Sequence, residues 1–131
     1  MNPSYTLTSD IPPKAEELME LFHQTTWANN RTFEGIEALL KNTNTCIVIR
    51  DNNTLIGFGR ALTDGIYRAL IDDIIIDKNY QRKGLGGEIV HCLLDKLLEV
   101  EEIFLNCGEH LEDYYNKYGF ERADCLTMKL W

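Results

Sequence analysis

The chain has 131 residues, enough for one hydrophobic core, so we expect a single domain over residues 1–131. Its 13 basic and 21 acidic side chains give a net charge of -8, which disfavours a nucleic-acid partner. The negative charge either suits a cationic small molecule or only keeps the protein soluble. No apolar run approaches the roughly 20 residues that cross a bilayer, and no secretory signal opens the chain. We therefore expect no membrane partner and a cytoplasmic location.

The N-terminal pattern predicts a short strand and two helices. Residues 5–9 form an extended opening that ends before Pro12 and Pro13, and residues 14–25 then carry apolar side chains at helical spacing. Thr32 suits the N-cap of a second helix that ends near residues 42–44.

The next segment predicts a hairpin and a central strand. Residues 46–50 and 55–62 are β-prone and flank the turn-rich interval 51–54, which is typical of two antiparallel strands. Residues 67–77 follow another turn and are rich in isoleucine, so we expect a strand that is buried on at least one face.

The last part of the chain alternates helices and strands. A long amphipathic helix begins at Leu85, and a strand at 103–107, a short helix at 111–118 and a last strand at 126–130 follow it. The unit from 67 to 107 predicts a parallel strand-helix-strand crossover. These elements predict an α+β fold with helices on both faces of a mixed, mostly antiparallel sheet of six to seven strands.

The cysteines and histidines do not form a metal-binding pattern. Cys46, Cys92, Cys107 and Cys125 are widely separated, without a C-x-x-C pair or a histidine at zinc-ligand spacing. A free thiol in an apolar run packs as a small hydrophobic side chain. We expect no metal site.

The loop from Gln81 to Gly87, with the sequence QRKGLGG, is the most informative functional signal. A helix entered through glycines offers unpaired backbone N–H groups, so the loop predicts an anion site, although a tight connection without a ligand is the alternative. A dinucleotide-binding G-x-G-x-x-G unit with repeated crossovers and a P-loop with G-x-x-x-x-G-K-[ST] are both absent.

Two stretches resemble signatures of the GNAT N-acetyltransferase family. Residues 72–86, DDIIIDKNYQRKGLG, are similar to the acyl-coenzyme A signature, in which [QR]-x-x-G-x-[GA] follows a strand of branched residues. Residues 115–120, YNKYGF, resemble the second signature, and their order and separation fit the family. The resemblance covers nearly the whole chain and implies one N-acetyltransferase domain over residues 1–131. Within the family, the chain is most similar to small bacterial members and the arylalkylamine-type branch.

The resemblance implies how acetyl-coenzyme A binds. The pyrophosphate would lie on the backbone of the loop and the helix start, at Gln81, Arg82, Lys83, Gly84, Leu85, Gly86 and Gly87. The two cations of the loop either add charge near the phosphates or are only solvated. The pantetheine amides would pair with the preceding strand as an added strand does, at Ile74, Ile75 and Ile76.

The resemblance also implies catalytic residues. Tyr115 is the candidate general acid that protonates the leaving thiolate, with Tyr80, Tyr114 and Tyr118 as competitors. Asp72 is the candidate general base, acting through a water, and the alternative is that it only binds the amine.

Further expectations concern the acceptor side. Because side chains alternate along a strand, Asp72 and Asp73 should point to opposite faces, with Asp72 on the face of Ile74 and Ile76. Trp27 and Phe33 lie in the part of the chain that supplies the substrate loop of the family, and they either line the acceptor pocket or belong to the core.

The expected function is acetyl transfer from acetyl-coenzyme A to a primary amine of a small molecule, by direct attack in a ternary complex. The alternatives are a non-catalytic acyl-coenzyme A sensor and a protein or peptide acetyltransferase. Residues 108–112, GEHLE, depart from the family pattern, so a contact from this stretch to the coenzyme stays open. A second subunit is one way to complete the acceptor wall, so a homodimer is considered.

Overall fold

A five-stranded mixed sheet forms the centre of the computed structural model, which describes residues 2–131. The strands lie in the sheet in chain order: β1 (Tyr5–Ser9), β2 (Cys46–Asp51), β3 (Thr54–Thr63), β4 (Arg68–Ile76) and β5 (Glu102–Leu105). Neighbours from β1 to β4 are antiparallel, whereas β4 and β5 are parallel. The predicted α+β class, hairpin and crossover are therefore confirmed, and the predicted count of six to seven strands is wrong.

Helices cover both faces of the sheet, as predicted. The helices are α1 (Ala15–Phe22), α2 (Phe33–Lys41), α3 (Leu85–Lys96) and the short α4 (Glu112–Asn116). α1 and α2 pack on a cluster that includes Val48, Phe58 and Ile75, while α3 packs on the opposite cluster of the sheet. Across residues 2–131, no helix is long and apolar enough to cross a membrane.

The predicted last strand at 126–130 does not form. Its large apolar side chains are almost fully exposed, and none of its residues pairs with a strand in the described part of the chain. A β-prone segment becomes a strand only when its backbone finds a neighbouring edge. In this molecule the segment runs outside the sheet.

Two irregularities of β4 shape the functional site. The parallel ladder with β5 ends at the pair Ile71 and Leu105, although β4 continues to Ile76. The register with β3 shifts between Phe58 and Arg60, so that one residue of β3 faces two residues of β4, and Asp73 has a left-handed φ of 54°. This arrangement is a β-bulge, and it lies where β4 and β5 part.

Candidate functional site

A cleft of about 500 Å³ opens between β4 and β5 beyond their last shared pair. β4 contributes residues 71–74, the end of β5 contributes 105–108, and Trp27 and Tyr115 complete the wall. The side of β4 that faces this cleft has no strand partner after Ile71. Its free N–H and C=O groups can therefore pair with an extended ligand.

The start of α3 has the backbone arrangement on which the predicted anion site depends. Gly84 is the N-cap with a left-handed φ of 80°, and the Glu88 N–H donates the first intrahelical bond to the Gly84 carbonyl over 3.2 Å. The N–H groups of Leu85, Gly86 and Gly87 therefore have no partner within the helix, and they lie at its positive end. The Leu85 side chain is buried beneath the helix, so only its backbone can meet a ligand.

The cations of the loop are available to a ligand. The side chains of Arg82 and Lys83 are exposed, and Arg82 has a left-handed φ of 63°. Gln81 is exposed as well, and its Nε2 donates to the Ile76 carbonyl over 3.1 Å. This bond ties the loop to the end of β4, so it gives Gln81 a structural role beside the predicted ligand contact.

Two tyrosines of the α4 region pack directly over the glycines of α3. A Cβ built on Gly86 would lie 2.9 Å from the Tyr114 hydroxyl, and one built on Gly87 would overlap the Tyr118 hydroxyl. Burial, with the neighbouring Tyr118 hydroxyl, holds the pKa of Tyr114 far above its usual value. Glycine at these two positions therefore lets the tyrosines reach the helix start.

Tyr115 lies on the cleft wall, as its predicted role requires. Its ring packs edge-on against Tyr114, with centroids 5.1 Å apart, and against Phe120 at 6.1 Å. Burial raises the pKa of the Tyr115 phenol, so the hydroxyl stays protonated at neutral pH. Tyr80, a competitor for the acid role, instead donates to Asp51 over 2.8 Å and is not on the cleft wall.

The bulge overturns the predicted alternation of Asp72 and Asp73. Arg60 contacts both carboxylates, at 2.7 Å from Nε to Asp73 Oδ2 and 3.7 Å from Nη2 to Asp72 Oδ2. Asp72 pairs with Arg60 across the ladder, on the face opposite Ile71, whereas Ile74 and Ile76 pack in the cluster of Ile71. Asp72 therefore does not share the face of Ile74 and Ile76, because the extra residue of the bulge reverses the alternation.

Asp72 nevertheless lies in the cleft. Its side chain is 42% exposed, and its Oδ1 accepts the Asp73 N–H over 2.9 Å. Asp73 is fully buried, and its Oδ2 also accepts a bond from Arg31 Nη1 over 2.9 Å. Asp73 Oδ1 has no hydrogen-bond partner among residues 2–131.

The cluster of Asp73, Arg31 and Arg60 was not predicted from the sequence. Arg31 also stacks over the Phe22 ring at 4.6 Å and lies 5.8 Å from the Trp27 ring. Arg60, which lies within the apolar run of β3, was a signal in the sequence that could have predicted this cluster. A buried cation requires an anionic partner, for example on a neighbouring strand.

The structure separates the two predicted acceptor aromatics. Trp27 is 54% exposed and lines the cleft. Phe33 packs against the core cluster of α1 and α2 and is not on the cleft wall. The expectation that Phe33 lines the acceptor pocket is therefore not supported, because the first turn of α2 directs it into the core.

The three isoleucines at the end of β4 have different surroundings. Ile74 lies on the cleft wall, and both Ile74 and Ile76 are half-buried on the α3 side. Ile75 is buried in the opposite cluster, so only its backbone can take part in the predicted coenzyme contact. Within residues 2–131, no three histidine, cysteine, aspartate or glutamate side chains converge as a metal site.

The parted sheet, the glycine-rich helix start and the cleft with Tyr115 and Asp72 form a candidate site for an extended anionic ligand in an α+β fold. The chain matches the acetyltransferase (GNAT) family over residues 7–120, and it belongs to that family. Members of this family use acetyl-coenzyme A as the acyl donor.

The chain is similar to named relatives in plants and red algae. It is 32% identical over 110 residues to the uncharacterized N-acetyltransferase ycf52 of Pyropia yezoensis, covering 79% of this chain and 63% of that protein. It is 33% identical over 73 residues to the histone acetyltransferase TAP1 of Glycine max, covering 54% of this chain and 32% of that one. The chain thus spans less than two thirds of either relative.

A solved structure supports the fold over nearly its full length. The GNAT family acetyltransferase SP0256 of Streptococcus pneumoniae superposes with a TM-score of 0.83 at 25% identity, covering 97% of this chain and 96% of that one.

Proposed function

We propose that the protein is an acetyl-coenzyme A-dependent N-acetyltransferase that acetylates a primary amine of a small molecule by direct attack in a ternary complex. The observation that carries this proposal is the parting of β4 from β5 at Ile71 and Leu105, beside the unpaired N–H groups of α3. The open strand edge could pair with two amides, and the helix start could hold a pyrophosphate.

The donor is proposed to bind with its phosphates at the α3 N-terminus. The N–H groups of Leu85, Gly86 and Gly87 would hold the pyrophosphate, and Arg82 and Lys83 would add charge beside it. The pantetheine arm would follow the open edge of residues 74–76 into the cleft. The thioester would then lie near Asp72 and Tyr115, which both line that cleft.

The chemistry follows from the groups in the cleft. The bound cationic amine first releases one proton to solvent, and the neutral amine then attacks the thioester carbonyl carbon. The carbonyl electrons pass to oxygen, where free backbone N–H groups of β4 can stabilise the charge. The carbon–sulfur bond then breaks, the Tyr115 hydroxyl donates its proton to the thiolate, and the amine loses its surplus proton to Asp72 through a water. The products are an amide and free coenzyme A.

The acceptor is proposed to be a cationic small amine. Asp72 provides a partly exposed carboxylate, Trp27 an exposed aromatic surface, and the chain as a whole a net charge of -8. A cytoplasmic location and a homodimer remain part of this prediction. Protein acetylation is the second candidate, because one relative is named as a histone acetyltransferase.

The test is an acceptor screen with acetyl-coenzyme A over polyamines, aryl amines, amino sugars and peptides. Coenzyme A release should be measured by chromatography, because Cys107 and Cys125 are exposed thiols that react with thiol dyes. We expect turnover with small amines and weaker turnover with peptides. A reversed preference would favour the protein acetyltransferase.

A binding experiment separates enzyme from sensor. Calorimetry with coenzyme A should give saturable binding that weakens when Gly87 is changed to Ala, because the new Cβ displaces Tyr118 and crowds the helix start. Gly35→Ala is the control, because it also adds a methyl group to a glycine in the first turn of a helix, but this helix is α2, on the opposite face of the sheet. Saturable binding without turnover of any amine would contradict the proposed enzyme.

A further inference from the structure

Trp27 lies in the irregular connection between α1 and α2, and hydrogen bonds within this connection hold its backbone in place. The Thr25 hydroxyl donates to the Phe22 carbonyl over 2.8 Å and accepts the Ala28 N–H over 3.0 Å. The Arg31 N–H then donates to the Ala28 carbonyl over 3.2 Å, and the Ala28 side chain is fully buried in the core. The residue that follows Trp27 is therefore fixed through both of its backbone polar groups.

The Trp27 side chain depends on a different contact. It is 54% exposed on the wall of the cleft. The guanidinium carbon of Arg31 lies 5.8 Å from the centre of the Trp27 ring, within the roughly 6 Å over which a cation and an aromatic face attract each other. This contact therefore restricts the rotation of a ring that is otherwise largely open to solvent.

Arg31 is itself fixed by two further contacts. Its Nη1 donates to Asp73 Oδ2 over 2.9 Å, and its guanidinium carbon lies 4.6 Å from the centre of the Phe22 ring. Asp73 is fully buried, and the same oxygen accepts a bond from Arg60 Nε over 2.7 Å. Because bonds between charged groups are shorter and stronger than those between neutral groups, the guanidinium has a well-defined position from which it meets Trp27.

We propose that Arg31 is a positioning residue that acts on the acceptor amine through Trp27. A ring that is already held in place loses little rotational freedom when the amine binds, and this raises affinity without a new contact to the amine. The ion pair with Asp73 also joins the ring to the β-bulge that carries Asp72. The inference rests on the proposed function, since that function makes the cleft an acceptor site.

The role requires the shape of arginine as well as its charge. A planar guanidinium bonds a carboxylate through its edge while its flat face lies against aromatic rings. Lysine keeps the positive charge, but its compact and strongly hydrated ammonium does not stack on a ring in this way. Arg31→Lys therefore retains an ion pair with Asp73 and weakens the contact with Trp27, which separates the positioning role from a purely electrostatic one.

Time-resolved fluorescence anisotropy tests the position of the Trp27 ring without any turnover. The chain has two tryptophans, so Trp131→Phe leaves Trp27 as the only one. In that background, we expect Arg31→Lys to enlarge the amplitude of the sub-nanosecond decay, which reports ring motion, about twofold. Arg50→Lys is the matched control, because this arginine is 29% exposed against 31% for Arg31 and pairs with Glu17 between α1 and β2, away from the cleft. Equal decays in all three proteins would overturn the proposal.

Calorimetry on protein saturated with coenzyme A measures acceptor binding without the reaction. The probe is the amine that turns over fastest in the acceptor screen, or spermidine if none does. We expect Arg31→Lys to raise the dissociation constant of this amine about 3- to 10-fold while the affinity for coenzyme A stays the same, and Arg50→Lys to match the wild type. An unchanged dissociation constant in Arg31→Lys would overturn the positioning role, whereas normal binding without turnover would contradict the proposed enzyme alone. A wild type that binds no amine would overturn both.

A double-mutant cycle shows whether Arg31 acts through Trp27. Trp27→Ala removes the ring, so Arg31→Lys should then change the dissociation constant of the amine no further. Urea unfolding of each variant establishes that it is folded at the assay temperature. Losses of affinity that add in the double variant would overturn the proposal, because Arg31 would then act on the amine by another route.

Discussion

Tyr115 is the single residue whose replacement tests the chemistry most directly. Because burial raises its pKa, the phenol keeps its proton well above neutral pH and can protonate a thiolate. We predict that Tyr115→Phe lowers kcat by roughly 100-fold, as the loss of a general acid does. Coenzyme binding measured by calorimetry should change little, because the proposed phosphate contacts lie at α3.

A matched control separates the acid from other tyrosines. Tyr80→Phe removes a hydroxyl of the same kind, but this hydroxyl bonds Asp51 away from the cleft. Its kcat should stay close to that of the wild type. An unchanged kcat in Tyr115→Phe would assign the leaving-group proton to another donor.

Substitutions of Asp73 and of Asp72 should have very different effects on the stability of the protein. Asp73→Asn removes the buried anion that pairs with Arg31 and Arg60, so we predict a loss of about 3 kcal/mol in the free energy of unfolding. Asp72→Asn changes a partly exposed group and should cost less than about 1 kcal/mol. Urea unfolding measures both, and equal losses would refute the structural role of Asp73.

Sequence patterns located the functional site only in part. Helical apolar spacing and capping residues predicted the four helices, and β-prone runs bounded by turns predicted the five strands that form. The β-bulge left no such signal, since its left-handed Asp73 depends on arginines from β3 and from the α1–α2 connection. A simple alternation rule therefore could not predict which face of the sheet carries Asp72 and which carries Asp73.

At the scale of elements, the packing of α3 on β3 depends on Gly59. A Cβ at this position would lie 2.5 Å from Cγ2 of Ile89. We predict that Gly59→Ala lowers the free energy of unfolding by about 1–3 kcal/mol, as overpacking does. Ile89→Leu removes the branched methyl, so the double variant should recover part of this loss in a double-mutant cycle measured by urea unfolding. Strictly additive losses would show that the clash is relieved elsewhere.

The attachment of α1 to β2 should depend on pH. Arg50 donates to Glu17 over 2.8 and 2.7 Å, and this pairing is the main reason that the pKa of Glu17 lies below its usual 4.5. A lowered folded pKa contributes stability above the unfolded value, and that stability is lost as the pH falls through the folded pKa. We predict that wild-type stability falls more steeply than that of Glu17→Gln from about pH 5 to about pH 3.

The control for this pH dependence lies on the same helix. Glu20 is exposed, and Glu20→Gln should leave the slope of the wild type unchanged. Thermal unfolding at several pH values measures all three proteins. Parallel curves for wild type and Glu17→Gln would contradict the contribution of the ion pair.

For the whole molecule, the sequence predicted a strand at 126–130 because its alternation is genuine. A strand also needs an edge to pair with, and intrachain patterns do not say whether that edge belongs to the same copy. The error in strand count thus arises because alternation predicts a strand without identifying the edge that it pairs with.

The net charge of -8 should attract a cationic acceptor amine at long range. Fields from many surface charges steer a cation toward the protein, and salt shortens their reach from about 30 Å at 10 mM to about 10 Å at 100 mM. We predict that kcat/KM for a polyamine falls several-fold over this range at saturating acetyl-coenzyme A, whereas kcat/KM for an aryl amine that is neutral at the assay pH stays nearly constant. Initial rates at matched pH measure both. Equal salt dependence for the two amines would mean that the acidic surface keeps the protein soluble without selecting its substrate.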